Sequence, residues 1–140
     1  MHMLSAIIAT LALTISLSHD DAVVKAFEHY EAIRVALSAD QLKDVAPPAT
    51  ALAPLAEQIG GAAAKKAAGA VAAAKKLSEA REQFAVLSNL LVPAFEKAGI
   101  KNVHFFVCPM EGGGPWAQRG KDLKNPYMGK SMPTCGTPKK

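Results

Sequence analysis

Residues 77–97, LSEAREQFAVLSNLLVPAFEK, carry the clearest periodicity in the chain. Leu77, Ala80, Phe84, Leu87, Leu91 and Phe95 recur at steps of three and four, which puts them on one stripe of a helix that faces other helices. Ser78 is the expected N-cap, and Gly99 ends the segment as a residue free to turn left-handed. A stripe of this kind needs partners, so the preceding sequence is read for more helices.

Working back from there, AAAKKAAGAVAAAKK (residues 62–76) combines strong helix propensity with little side-chain volume. It reads as a close-packing helix near 61–76, with a low-complexity linker as the alternative. Gly60-Gly61 separates it from a stripe of Leu42, Val45, Ala49, Leu52, Leu55 and Ile59. That stripe predicts a helix over about 40–59, broken at Pro47-Pro48 and kinked at Pro54, because proline lacks the N–H and its ring clashes with the preceding turn. Ser38 or Asp40 would cap it. Val23, Phe27, Tyr30 and Leu37, widened by Val24 and Ile33, predict a first helix over about 20–37, with Asp20 and Asp21 at its positive end. Short connections between these segments imply a mainly α, up-down antiparallel bundle of three to four helices.

Residues 1–18, MHMLSAIIATLALTISLS, contain no Lys, Arg, Asp or Glu. An apolar run ending in small residues and followed by Asp20-Asp21 has the form of a secretory signal peptide, and the run is short for a membrane span of about 20 residues. The expected organisation is therefore a leader over 1–18, a bundle over 19–100 and a packed C-terminal loop over 101–140. The mature chain would be exported and periplasmic, with no stable membrane insertion. The net charge of +4 comes from scattered lysine pairs rather than a basic cluster, which argues against nucleic-acid binding.

Beyond Gly99 the texture changes. Val103 to Val107 reads as a short strand. Glycine and proline then punctuate the chain to its end, so this segment calls for packing on the helices, a crosslink or a metal to order it. Both cysteines of the protein, Cys108 and Cys135, lie here with Met110, Met128 and Met132 and the single tryptophan, Trp116. Cys108-Pro109-Met110 and Met132-Pro133-Thr134-Cys135 each pair a thiol with a thioether. Such soft donors suit Cu(I) or Ag(I). His104, on the same strand face as Cys108, is a further candidate ligand, and Met128 a looser one. The competing reading is a Cys108–Cys135 disulfide, the default in an oxidising compartment, which would contribute roughly 3–4 kcal/mol by closing its loop. The methionines would then fill gaps in a core. No CxxC or HxxxH pair suggests zinc, and no serine, histidine and carboxylate fall in a catalytic pattern. The expectation is a binding protein, not an enzyme.

The sequence CPM, then Trp116, then NPYxGxxMxxCG over Asn125 to Gly136, resembles a bacterial domain family of unknown function. That family occurs as small exported proteins and at the C-terminal end of adaptor (membrane-fusion) subunits of copper and silver efflux pumps. Arg81-Glu82-Gln83-Phe84, with Leu87-Ser88, is similar to its helical region. The resemblance spans about Val23 to Thr137. It implies periplasmic heavy-metal binding at Cys108, Met110, Met132 and Cys135, a turn at Asn125–Tyr127 and a structural role for Trp116. A heavy-metal efflux adaptor or pump component is the partner it implies.

Overall fold

The computed structural model describes residues 17–140. It is mainly helical, with a small antiparallel sheet at the C-terminal end. The expected leader lies outside the described residues except for Leu17 and Ser18. Ser18 caps the first helix, its hydroxyl accepting from the Asp21 N–H at 3.2 Å. Among the described residues no helix is long and apolar enough to cross a membrane.

Helix α1 spans His19–Ser38 and buries Val23, Phe27, Tyr30, Ile33 and Leu37, the stripe expected from sequence. Val24 does not widen it; that side chain is exposed. The connection is where expectation and structure part. Asp40 takes a left-handed φ of 56° and points its carboxylate at Arg81 instead of capping a helix. A single 3-10 turn, Leu42–Asp44, follows, and α2 starts only at Ala46, with Pro47 and Pro48 in its first turn, where the missing N–H costs nothing.

Helix α2 runs Ala46–Ala73 and combines the two segments that the sequence separates. The one departure from helical dihedrals is Gly61, at φ 80° and ψ −173°. A residue with a Cβ is strained there, so glycine sets the kink. Pro54, on the exposed side, leaves the backbone helical. The alanine-rich half is ordered helix, burying Ala64, Ala67, Ala68 and Val71. Helix α3, Leu77–Ala98, buries Ala80, Phe84, Leu87, Leu91 and Phe95 and ends at left-handed Gly99. Its N-cap is Lys76, and Ser78 lies inside the helix; the Glu79 carboxylate accepts from the Lys75 N–H at 3.0 Å in its stead.

The C-terminal segment makes its own hydrogen-bonded sheet, which the glycine and proline content did not suggest. Strand β1 (Val103–Val107) pairs with β2 (Pro115–Arg119) from Val103↔Arg119 to Val107↔Pro115. Strand β3, Thr137–Pro138, pairs with the other side of β1 through Val107↔Thr137 and Phe106↔Pro138, giving the order β2-β1-β3. A chain of aromatic contacts ties sheet to helices: Tyr30 on Phe84 at 4.8 Å, Phe84 to Tyr127 at 5.8 Å, Tyr127 to Trp116 at 6.3 Å, and Trp116 to Phe106 at 5.4 Å. Each such pair adds about 0.5–1.5 kcal/mol beyond its buried area. The Tyr30 hydroxyl pairs with Ser88 Oγ at 2.7 Å and accepts from the Ala117 N–H at 3.4 Å, so the outer side of β2 is closed by α1. Burial holds the Tyr30 phenol protonated far above its ordinary range.

Candidate metal centre

Two turns carry the four sulfurs. The first joins β1 to β2. The Cys108 N–H extends the ladder by donating to the Gly114 carbonyl at 2.9 Å, and the Gly113 N–H donates to the Met110 carbonyl at 2.9 Å. Cys108 is 3 % exposed and Met110 45 %. A Cβ at Gly113 would come within 2.7 Å of Cys108 Sγ, so the bare backbone of this turn closes over the thiol. An ion would reach Cys108 only with movement of the turn over it.

The second turn precedes β3. The Cys135 N–H donates to the Met132 carbonyl at 3.3 Å. Met132 is 37 % exposed, and Cys135 is half-buried. Antiparallel register decides from which end the turns leave: Cys108 follows Val107, and Cys135 stands two residues before Thr137, the partner of Val107. Both turns therefore emerge at the same end of β1. Both cysteines are free thiols. Neither Met110 nor Met132 is a core gap-filler; both reach solvent.

His104 sits elsewhere. It pairs with Gln118 in the body of β1, four residues from Cys108, or about 13 Å along the strand at the usual rise. His104 shares a strand face with Cys108 but belongs to neither turn, which makes it the more distant of the candidate ligands. Met128 is half-buried and packs against the core. Among the described residues no three His, Cys, Asp or Glu side chains gather.

What shapes the second turn is a residue read from sequence only as part of a turn. Asn125 is fully buried, and both ends of its amide are paired. Its Oδ1 accepts from the N–H groups of Tyr127 at 2.7 Å and Met128 at 3.0 Å, and its Nδ2 donates to the Cys135 carbonyl at 2.6 Å. The Asn125 N–H also donates to the Pro133 carbonyl at 2.8 Å. Gln118 does the same for the neighbouring loop. Its Oε1 accepts from Trp116 Nε1 and the Lys124 N–H, while its Nε2 donates to the Gly120 and Asp122 carbonyls. Buried amides of this kind specify one loop conformation, because every alternative leaves polar groups unpaired.

Arg81 on α3 locks the assembly to the helices. Its guanidinium donates to the Pro126 carbonyl at 2.8 Å, the Leu37 carbonyl at 2.7 Å and Asp40 Oδ1 at 2.6 Å. A Cβ at Gly129, where φ is 57°, would fall 2.0 Å from Asp40 Oδ1 and 2.3 Å from the Arg81 guanidinium, so glycine is required at this crossing. Arg81, Phe84, Asn125, Tyr127 and Gly129 thus form connected contacts between α3 and the second turn. The hydrogen bond from Arg81, ahead of its charge, holds the Asp40 carboxyl below its ordinary 3.8. A depressed folded-state value stabilises above the unfolded value and is lost as pH falls through the folded one. Acid unfolding followed by circular dichroism is therefore expected to show stability falling below about pH 4, and Asp40→Asn to flatten part of that fall.

Burial raises the Tyr127 phenol well above its ordinary range. Its hydroxyl donates to the Pro115 carbonyl at 2.6 Å, beside the first turn, and stays a neutral donor. Comparison with family models, with curated proteins and with solved structures returns no match for this chain.

Proposed function

We propose that this chain is a periplasmic binding protein for a soft monovalent ion, Cu(I) or Ag(I), and not an enzyme. It holds the ion through Cys108, Met110, Met132 and Cys135, and either sequesters it or passes it to an efflux system such as a heavy-metal adaptor or pump. The three helices serve as an antiparallel bundle that carries the sulfur turns. The reading is carried by the register of β1, from whose one end both thiol–thioether turns emerge, with the two thioethers open to solvent. The donor chemistry fits: two thiolates offset the ion's charge, and neutral thioethers complete its shell without adding negative charge. The apolar leader-like stretch and the likeness of the CPM and NPYxGxxMxxCG segments to an efflux-associated family support the same compartment and cargo.

Titration of the reduced protein with Cu(I) against a competing chelator tests it. Changes to residues that merely orient a ligand cost about 10–100-fold in affinity, so Cys108→Ser/Cys135→Ser is expected to cost more than about a hundredfold. Unchanged affinity in that double variant would sink the assignment. The same end of β1 also suits a Cys108–Cys135 disulfide in a metal-free interaction module. Thiol counting on protein isolated without reductant separates the two: blocked thiols and no uptake of Cu(I) after reduction favour the stapled module.

A further inference from the structure

The exposed side of α1 carries a surface pattern that the sulfur site does not use. Val35 is 50 % exposed, and with Ala39 it forms a ridge shared by two adjoining grooves, one on each flank of the helix. The groove on one flank, about 490 Å³, is lined by Glu28, Glu31 and Asp44 around Ala32, Ala36 and Pro48. The groove on the other flank, about 480 Å³, is lined by Lys124, Lys130 and Arg34 with Ser38 and Pro133. The surface therefore changes sign across a single apolar ridge.

Not all of these charges are available. Glu31 pairs with Arg34, and Glu28 with Arg119. Lys130 lies near the Asp40 carboxylate, which Arg81 already holds. Among the described residues Asp44, Lys124 and Lys130 form no ion pair. The unpaired charges are thus negative on one flank and positive on the other.

A two-fold interface demands a self-complementary patch, in which residue i meets j and j meets i. An axis running along α1 satisfies this. It lays the two ridges side by side and parallel, and it carries the acidic flank of each chain onto the basic flank of its mate. An axis across α1 would set like charges together, which disfavours association. We propose that this face joins two copies of the chain, Val35 and Ala39 packing against their counterparts while Asp44 of each copy faces Lys124 and Lys130 of the other. A patch of standard size takes about 800 Å² from each partner, near a tenth of the 8600 Å² of this chain's surface. Pro133, beside Met132 in the second sulfur turn, lines the basic groove, so a copy seated there would border that turn.

Sedimentation velocity on the full chain, without metal, tests this independently of ion binding. The expected result is a concentration-dependent dimer that weakens as salt is raised. Val35→Glu, a change at an exposed position, is expected to leave the circular dichroism spectrum intact and abolish the dimer. Lys124→Glu/Lys130→Glu is expected to weaken it about tenfold or more, the effect of roughly 1.4 kcal/mol, and adding Asp44→Lys to restore part of the loss. A chain that stays monomeric up to its solubility limit overturns the proposal. So does a dimer indifferent to Val35→Glu or to the charge reversal.

Discussion

Asn125→Ala is expected to loosen the second sulfur turn while leaving the helices folded. The substitution removes the acceptor for the Tyr127 and Met128 N–H groups and the donor to the Cys135 carbonyl. The Tyr127 N–H is buried, and left without a partner it costs roughly 1–3 kcal/mol. The Met128 N–H and Cys135 carbonyl are part-buried and add less, since water can reach them. Urea unfolding measures the loss. Limited proteolysis locates it, with new cleavage expected between residues 125 and 135 and none in α1 or α3. Asn125→Asp is the sharper control. It keeps the acceptor but sets an oxygen against the Cys135 carbonyl in place of the donor, and it should recover only part of the stability. If Asn125→Ala leaves both unfolding and cleavage unchanged, the account of the turn given above is wrong.

Trp116→Ala is expected to have the largest effect on stability. The indole is fully buried between Phe106 and Tyr127, and its Nε1 donates to Gln118 at 3.0 Å. Truncating a buried aromatic to alanine costs about 3–5 kcal/mol, a fifth or more of the roughly 5–15 kcal/mol that ordinarily holds a domain together. Gln118 Oε1 keeps the Lys124 N–H as a donor, so the cavity outweighs the lost hydrogen bond. Trp116→Phe isolates the smaller term and should cost much less. Because the chain has one tryptophan, unfolding of these variants is followed by far-ultraviolet circular dichroism. A loss for Trp116→Ala below about 1 kcal/mol, the size of a single hydrogen bond, would mean that the sheet does not rely on this ring to dock.

The helices were legible because their signal is local. The spacing of Phe84, Leu87, Leu91 and Phe95 identifies the buried side of α3 without knowledge of what covers it. Pro47 and Pro48 mark a break for the same reason, since the missing N–H acts within one turn. The junctions were less legible: whether Gly61 ends a helix or bends it depends on packing beyond the junction. Strand β2 was missed because PWAQR shows no alternation, and three successive residues, Trp116, Ala117 and Gln118, are buried once Tyr30 covers the outer side. Thr137–Pro138 is too short to announce itself at all.

The sulfur residues were visible as a composition, and their approach to one end of β1 follows from a register no sequence pattern states. For His104 the strand alternation gives a direction and not a distance, so its place relative to the two turns is not legible from sequence. Asn125 and Gln118 could not be found by periodicity, because a polar residue is buried only where particular partners await it. The one available signal was the likeness of the NPYxG segment to a known motif, which pointed to a turn but not to an amide that holds three backbone groups.

The two sides of β1 are protected very unequally. On one, five residues of β2 intervene and α1 closes the far side of that strand. On the other, cover comes from two residue pairs of β3 and the bond from the Lys139 N–H to the Phe105 carbonyl. Peeling those few contacts away would bare a row of unsatisfied amides along VHFFV, a ready template for strand addition or aggregation. The same event would carry Cys135 off with the tail. The Asn125 amide, which holds the Cys135 carbonyl, therefore also guards the protein against sticking to itself.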